Sequence, residues 1–310
     1  MLSGINAATE KFLQDISRLQ RRSEKAQQQL TSGLKVQSAA DAPDDVSRLL
    51  GSRAALDMVE QVSINLGRVK TEVDTAEAAI GNAVSLLERA RALGSQGASN
   101  TLGKSARTQL AGELEGVLER LVAVASTAVE GRYIFSGDND QAAPYTVDLA
   151  VPKGVSTYQG SASTRRVADA SGLEFSVAQT ADEIFDSAND EQNIFLAVNG
   201  MRRALLAIDN PPDPPDPTIP TMEQALHNLG EAGVYLNTKL TTYGLQQNRV
   251  TESINAASKL QLSLKAQIAN VEEADLAAAA LELSQSRMHL EAAFTARAQN
   301  PRRSLFDYLG

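Results

Sequence analysis

Cysteine and tryptophan are absent from this chain of 310 residues, and histidine occurs only twice, at His227 and His289. Without thiols there is no disulfide, no thiolate metal site and no cysteine nucleophile. Aromatic residues amount to 4%, which is low for a compact enzyme and natural for long helices packed by Leu, Val and Ala. No run approaches the ~18 apolar residues of a membrane span. Residues Met1 to Asn6 lack a basic n-region followed by an apolar h-region, so no classical signal peptide is expected. Positive charge is short as well: 29 Lys and Arg stand against 38 Asp and Glu, a net charge of −9. Arg21-Arg22, Arg165-Arg166, Arg202-Arg203 and Arg302-Arg303 are isolated pairs rather than a patch, which argues against nucleic-acid binding.

What the chain does have is helical periodicity. Val59, Val62, Leu66, Val69, Val73, Ala76, Ile80, Ala83, Leu87 and Ala90 alternate spacings of three and four, the seam of a coiled coil. Chance would make ten such positions all apolar with a probability of roughly 10⁻⁴ in any one register. Upstream, Ile5, Phe12, Ile16, Leu19, Ala26 and Leu30 form a heptad-like helix that Gly33 should end. Residues Ser38 to Asp45 read as a turn into the next helix, with Pro43 acceptable only in its first turn. From there the pattern continues to about Gly94, and an unbroken helix of that length would exceed ~70 Å. After a Gly/Ser/Asn-rich loop, Leu110, Leu114, Val117, Leu121, Val124 and Ala128 start a third helix. It should fold back on the second as an αα-hairpin.

The character changes at Gly131. Tyr145, Val147, Leu149 and Val151 alternate with polar or small residues, as do Leu173, Phe175 and Val177, which predicts a small β-rich insert. Helical pattern resumes near Asp190 and is cut by the proline-rich run from Pro211 to Pro217. The last segment, about Met222 to Ala298, is helical in composition, with Gly230, Gly233 and Gly244 as potential breaks. The expected fold is mainly α: a long antiparallel helical bundle or coiled coil made by the N- and C-terminal segments, with a small β-rich inserted domain. Its expected divisions are 1–43, an N-terminal assembly segment; 44–136, the first half of the rod; 137–189, the insert; 190–245, a helical return with its proline-rich loop; and 246–310, the C-terminal helix and assembly segment.

Catalytic patterns are missing. The two histidines lie far apart within helical pattern, and no nucleophile elbow or phosphate loop accompanies them. Asp138-Asn139-Asp140 begins like a calcium loop but lacks the glycine and distal glutamate, so it reads as a polar turn. Glu272, Glu273 and Asp275 read as a solvated helix face. The chain is therefore expected not to be an enzyme and to need no metal or cofactor.

Several stretches together resemble the flagellin family. Leu30-Thr31-Ser32-Gly33, followed by Gln37 to Pro43, is similar to the family's "LSSG" and "INSAADDPA" signature. Leu87 to Gln96 is similar to "LQRxRELAxQ", and Gly131 to Gly137 resembles the "GRYLFSG" of hook-associated members. Asp275-Leu276-Ala277, Leu283-Ser284-Gln285 and Leu290 to Ala293 resemble the family's C-terminal helix. Asp182 to Phe185 and the ending Ser304 to Leu309 resemble the hook-associated branch more than filament-forming flagellins.

The resemblance implies a secreted structural subunit of the bacterial flagellum that joins hook to filament by self-assembly through its terminal helices. It implies travel through the flagellar type III export route and an extracellular location. The implied partners are further copies of the chain in a ring-like assembly, another hook-associated protein on the hook side and flagellin on the filament side. An export chaperone on the C-terminal helix, and no nucleic acid or membrane, complete the expectation. Arg89, Leu93 and Gln96, spaced four and three, are expected to share a face beside the seam. Matching positions in flagellins lie on a surface of subunit contact that overlaps a site read by an innate immune receptor. Leu305, Phe306 and Leu309 are the further candidates for subunit contact. A filament-forming flagellin is the near alternative, and a cytoplasmic helical scaffold the distant one.

Overall fold

The computed structural model describes residues 2–36, 43–99, 101–162 and 166–299. Among them are seven α-helices: α1 (Leu2–Ser32), α2 (Pro43–Gly97), α3 (Lys104–Ala125), α4 (Ala181–Phe185), α5 (Ile194–Asp209), α6 (Met222–Glu272) and α7 (Leu276–Gln299). Four short strands accompany them: β1 (Ala128–Val129), β2 (Arg132–Tyr133), β3 (Arg166–Ala168) and β4 (Glu174–Ser176). The fold is mainly α, as expected. It divides into two compact units, one made of residues 1–58 with 260–310 and the other of residues 59–259.

The second unit carries the seam. Val59, Leu66, Val73, Ile80 and Leu87, each seven residues from the last, are buried on α2, whereas Val62 and Val69 are half-buried. Leu110, Leu114, Val117 and Leu121 of α3 are buried in the same core. Arg89 on α2 pairs with Glu113 on α3 across the hairpin at 2.7 Å. The third member is α6: Asp74 of α2 accepts a hydrogen bond from Gln247 at 2.7 Å. Gly233 faces Leu87, so the two helices run antiparallel. The three glycines named as potential breaks leave α6 continuous. Each costs roughly 1 kcal/mol relative to alanine, but Leu229, Ala232, Leu236 and Tyr243 around them are buried and hold the helix. The real interruption lies later, at Glu273 to Asp275, where Asp275 accepts from the Ala278 amide and starts α7.

The predicted β insert is only partly β. β1 and β2 form an antiparallel hairpin around Glu130 (φ 53°) and Gly131 (φ 78°), the two positive-φ positions of a type I′ turn. β3 pairs with β4, matching Val167 with Phe175. The alternation at 145–151 produces a single bridge, Val147 with Val155, and no strand. There the apolar residues serve anchoring instead. Tyr145 is buried with Phe135, Phe185, Phe195 and Tyr243, and its ring stands 5.0 Å from that of Phe195. Asp186 ties the loop to α5: it accepts from Lys153 at 2.5 Å and from Asn193 at 2.6 Å, while Asn193 Oδ1 caps the Leu196 amide. The buried aromatics among the described residues thus gather where the insert meets the helices.

In the first unit α1 pairs antiparallel with α7. Arg22 donates to both carboxylate oxygens of Glu282 at 2.6 and 3.1 Å. Nearer the other end, Arg297 donates to Thr9 at 3.2 Å and lies 5.5 Å from the centre of the Phe12 ring. Gly33, at φ 72°, ends α1 as its permissive backbone allows.

Candidate assembly surface

The predicted contact face on α2 divides between surface and core. Arg89 and Gln96 are exposed, but Leu93 is 2% exposed and belongs to the core. The reason is a second neighbour. α5 packs on the end of α2 so closely that a Cβ on Gly94 would stand 2.7 Å from Met201 Cε, and one on Gly97 would collide with Leu205. Burial against α3 and α5 together widens the apolar stripe beyond the two-helix seam and takes Leu93 into it. Arg89 also has a partner in its own chain, Glu113. Both side chains are about half exposed or more, so the pair is worth at most ~1 kcal/mol. Leu305, Phe306 and Leu309 lie outside the described residues.

The first unit offers a broader surface that the seam did not announce. On α7, Ala279 and Ser286 are buried on one side, while Leu281 (59%) and Met288 (64%) are exposed on the opposite side. Leu276 and Phe294 on the same helix are exposed too, although Leu283 and Leu290 between them are half-buried. Leu13 on α1 and Leu50 on α2 extend the apolar exposure within the unit. A shallow groove of about 400 Å³ lined by Leu30, Leu283, Arg287 and Met288 runs beside α7. The signal in the sequence is the seven-residue spacing of Leu281 and Met288, on the side of α7 opposite Ala279 and Ser286. Single exposed apolar residues are ordinary; those of this unit stand on α1, α2 and α7.

Titratable chemistry is sparse around these faces. Glu282 is held below the usual glutamate range by its hydrogen bonds from Arg22. His227 and His289 are exposed on α6 and α7. The calcium-like Asp138 to Asp140 is a turn, with Asp140 3.6 Å from Arg132. Glu272, read as a solvated face, instead pairs with Arg53 at 2.6 Å. Among the described residues no three His, Asp or Glu side chains gather as a metal site, and no helix is long and apolar enough to cross a membrane.

Comparison with known proteins settles the family. Residues 5–140 match the bacterial flagellin N-terminal helical region and residues 226–309 the bacterial flagellin C-terminal helical region, together well over half of the chain. This chain belongs to the flagellin family. Membership makes it a component of the bacterial flagellum. It is 25% identical over 161 residues to flagellar hook-associated protein 3 of Escherichia coli K12. That match spans about half the length of the curated relative, 49%, and 52% of this chain. Among solved structures, a putative flagellar hook-associated protein from Vibrio parahaemolyticus superposes with a TM-score of 0.63 at 18% identity, over 75% of this chain and 100% of that one. Flagellar hook-associated protein 3 of Legionella pneumophila gives 0.58 at 15% identity, over 71% and 98%. At those identities the superpositions speak for the fold.

Proposed function

We propose that this chain is the structural subunit that joins hook to filament, acting by self-assembly rather than catalysis. The observation that carries the reading is the sequence match to hook-associated protein 3 within a flagellin-family chain. The physics of the first unit supports it. Helices that leave Leu13, Leu281, Met288 and Phe294 in water gain from burying them against neighbours. In this reading the segments 1–43 and 246–310 are the assembly segments and the partners are further copies of the chain in a ring. Another hook-associated protein lies on the hook side and flagellin on the filament side. Arg89 and Gln96 remain contact residues; Leu93 does not, because it is occupied inside its own subunit. Delivery is by the flagellar type III route, with a chaperone covering the exposed apolar side of the C-terminal helix before export.

A clean deletion tests the assignment. Cells lacking the gene should build hooks, release flagellin into the medium and carry no filament. Filaments of normal length on the deletion strain would overturn it. So would purified protein polymerising alone into long filaments, the behaviour of a flagellin.

A further inference from the structure

The first unit contains two breaks in its helices, and they are tied to each other. α1 stops at Ser32, closed by the Gly33 amide on the Gln29 carbonyl at 2.9 Å. α6 stops at Glu272, closed by the Glu273 amide on the Ala269 carbonyl at 2.8 Å. Between the breaks run two backbone hydrogen bonds: the Lys35 amide donates to the Glu272 carbonyl at 2.6 Å, and the Ala274 amide donates to the Gly33 carbonyl at 2.9 Å. Leu34 and Glu273 face each other as an isolated antiparallel bridge. The Glu272 side chain, only 15% exposed, is held from a third element by Arg53 of α2. The Asp275 side chain then restarts the chain as α7.

We propose that this bridge is a clasp that locks the register of α1 against α7, so that the pair turns as one body about the two breaks. A single break would let each helix swing and slide on its own, because its backbone bonds no longer constrain it. Two breaks held at the same level by backbone hydrogen bonds remove the sliding motion and leave bending. Pairing farther along, through Arg22 with Glu282 and Arg297 with Thr9, is exposed and cannot hold register alone. The clasp supplies that register from a fixed origin, and Arg53 keeps one of its two acceptor residues in place. Its consequence for assembly is that both terminal helices meet a neighbour in one preset alignment.

The absence of cysteine makes the test clean. Nitroxide labels on Q14C and E291C, both exposed and flanked by the two outer contacts, report the α1–α7 distance in the full chain. The clasp requires one narrow distance distribution. K35P should broaden it, since proline removes the donor while the extended conformation it imposes on Leu34 suits a strand bridge. A broad distribution in the parent, or a narrow one unchanged by K35P, would overturn the proposal. R53A provides a milder second variant: the Lys35 and Ala274 amides should exchange faster together, by up to about tenfold, the effect of weakening one charge-supported hydrogen bond. Acceleration of only one amide, or of neither, would show that the two breaks are independent.

Discussion

The two units use the same kind of helix and end in different states. In residues 59–259, Leu66, Ile80, Leu114, Leu118 and Leu121 are fully enclosed, and an aromatic cluster fastens loop to helix. One of its ion pairs is enclosed as well: Arg107 and Asp209 meet at 2.9 Å with side chains largely out of solvent. In the first unit the buried apolar residues among those described are few, Ile16, Ala26, Val36, Leu49, Leu264 and Ala279, and none reaches zero exposure. Its ion pairs, Arg22 with Glu282 and Arg53 with Glu272, stand at the surface or at its edge. The difference teaches where folding ends and association begins. A heptad stripe is a demand for partners, and only the second unit meets that demand from within one chain.

The largest test of this contrast is to remove a core side chain from each unit. Phe135→Ala should destabilise the chain by about 3–5 kcal/mol in urea unfolding, whereas Ile16→Ala should shift that transition by less than about 0.5 kcal/mol, as expected for a region of low local stability. Comparable losses would mean that the units unfold as one. Limited proteolysis comes next. The terminal ~40 residues at each end should be cut first in dilute monomer, through local openings of the α1–α7 pair, while the second unit persists; full resistance at the termini would count against a low local stability of the first unit.

Alkaline pH should weaken the second unit. Burial pushes the hydroxyls of Tyr145 and Tyr243 well above the ordinary tyrosine range. The folded state therefore holds these protons more tightly than the unfolded state does. Their contribution is complete below about pH 10 and falls as the pH rises beyond it. All tyrosines among the described residues lie in the second unit, so near-ultraviolet circular dichroism should report its loss selectively. The smallest effect concerns Arg89. Charge reversal costs at most ~1 kcal/mol of monomer stability by opposing Glu113. The double variant R89E/E113R should restore that stability yet still assemble poorly, if Arg89 also contacts a neighbour. Recovery of assembly with the double variant would assign Arg89 to the intrachain pair alone.

Much of the architecture was legible because helix periodicity is local. The α2 stripe, the stop at Gly33, the start at Pro43 and the return through α3 all follow from residues within a few turns. The insert was harder, because alternating Tyr145, Val147 and Leu149 fits a strand and also fits a loop pinned by Tyr145. Leu93 misled for a related reason. Its position beside the seam is right for a two-helix hairpin and wrong once α5 covers the same side.

By itself, the sequence determined the helices, their apolar stripes, the absence of thiol chemistry and the family resemblance, since all of these depend on residue type and spacing. Only the tertiary structure decided that three glycines leave α6 continuous, that Asp275 begins a new helix, and that Gly33 and Ala274 meet. Those outcomes depend on which distant surfaces become neighbours. A helix break costs or saves free energy according to what its flanks bury, and that quantity does not exist until the chain has folded.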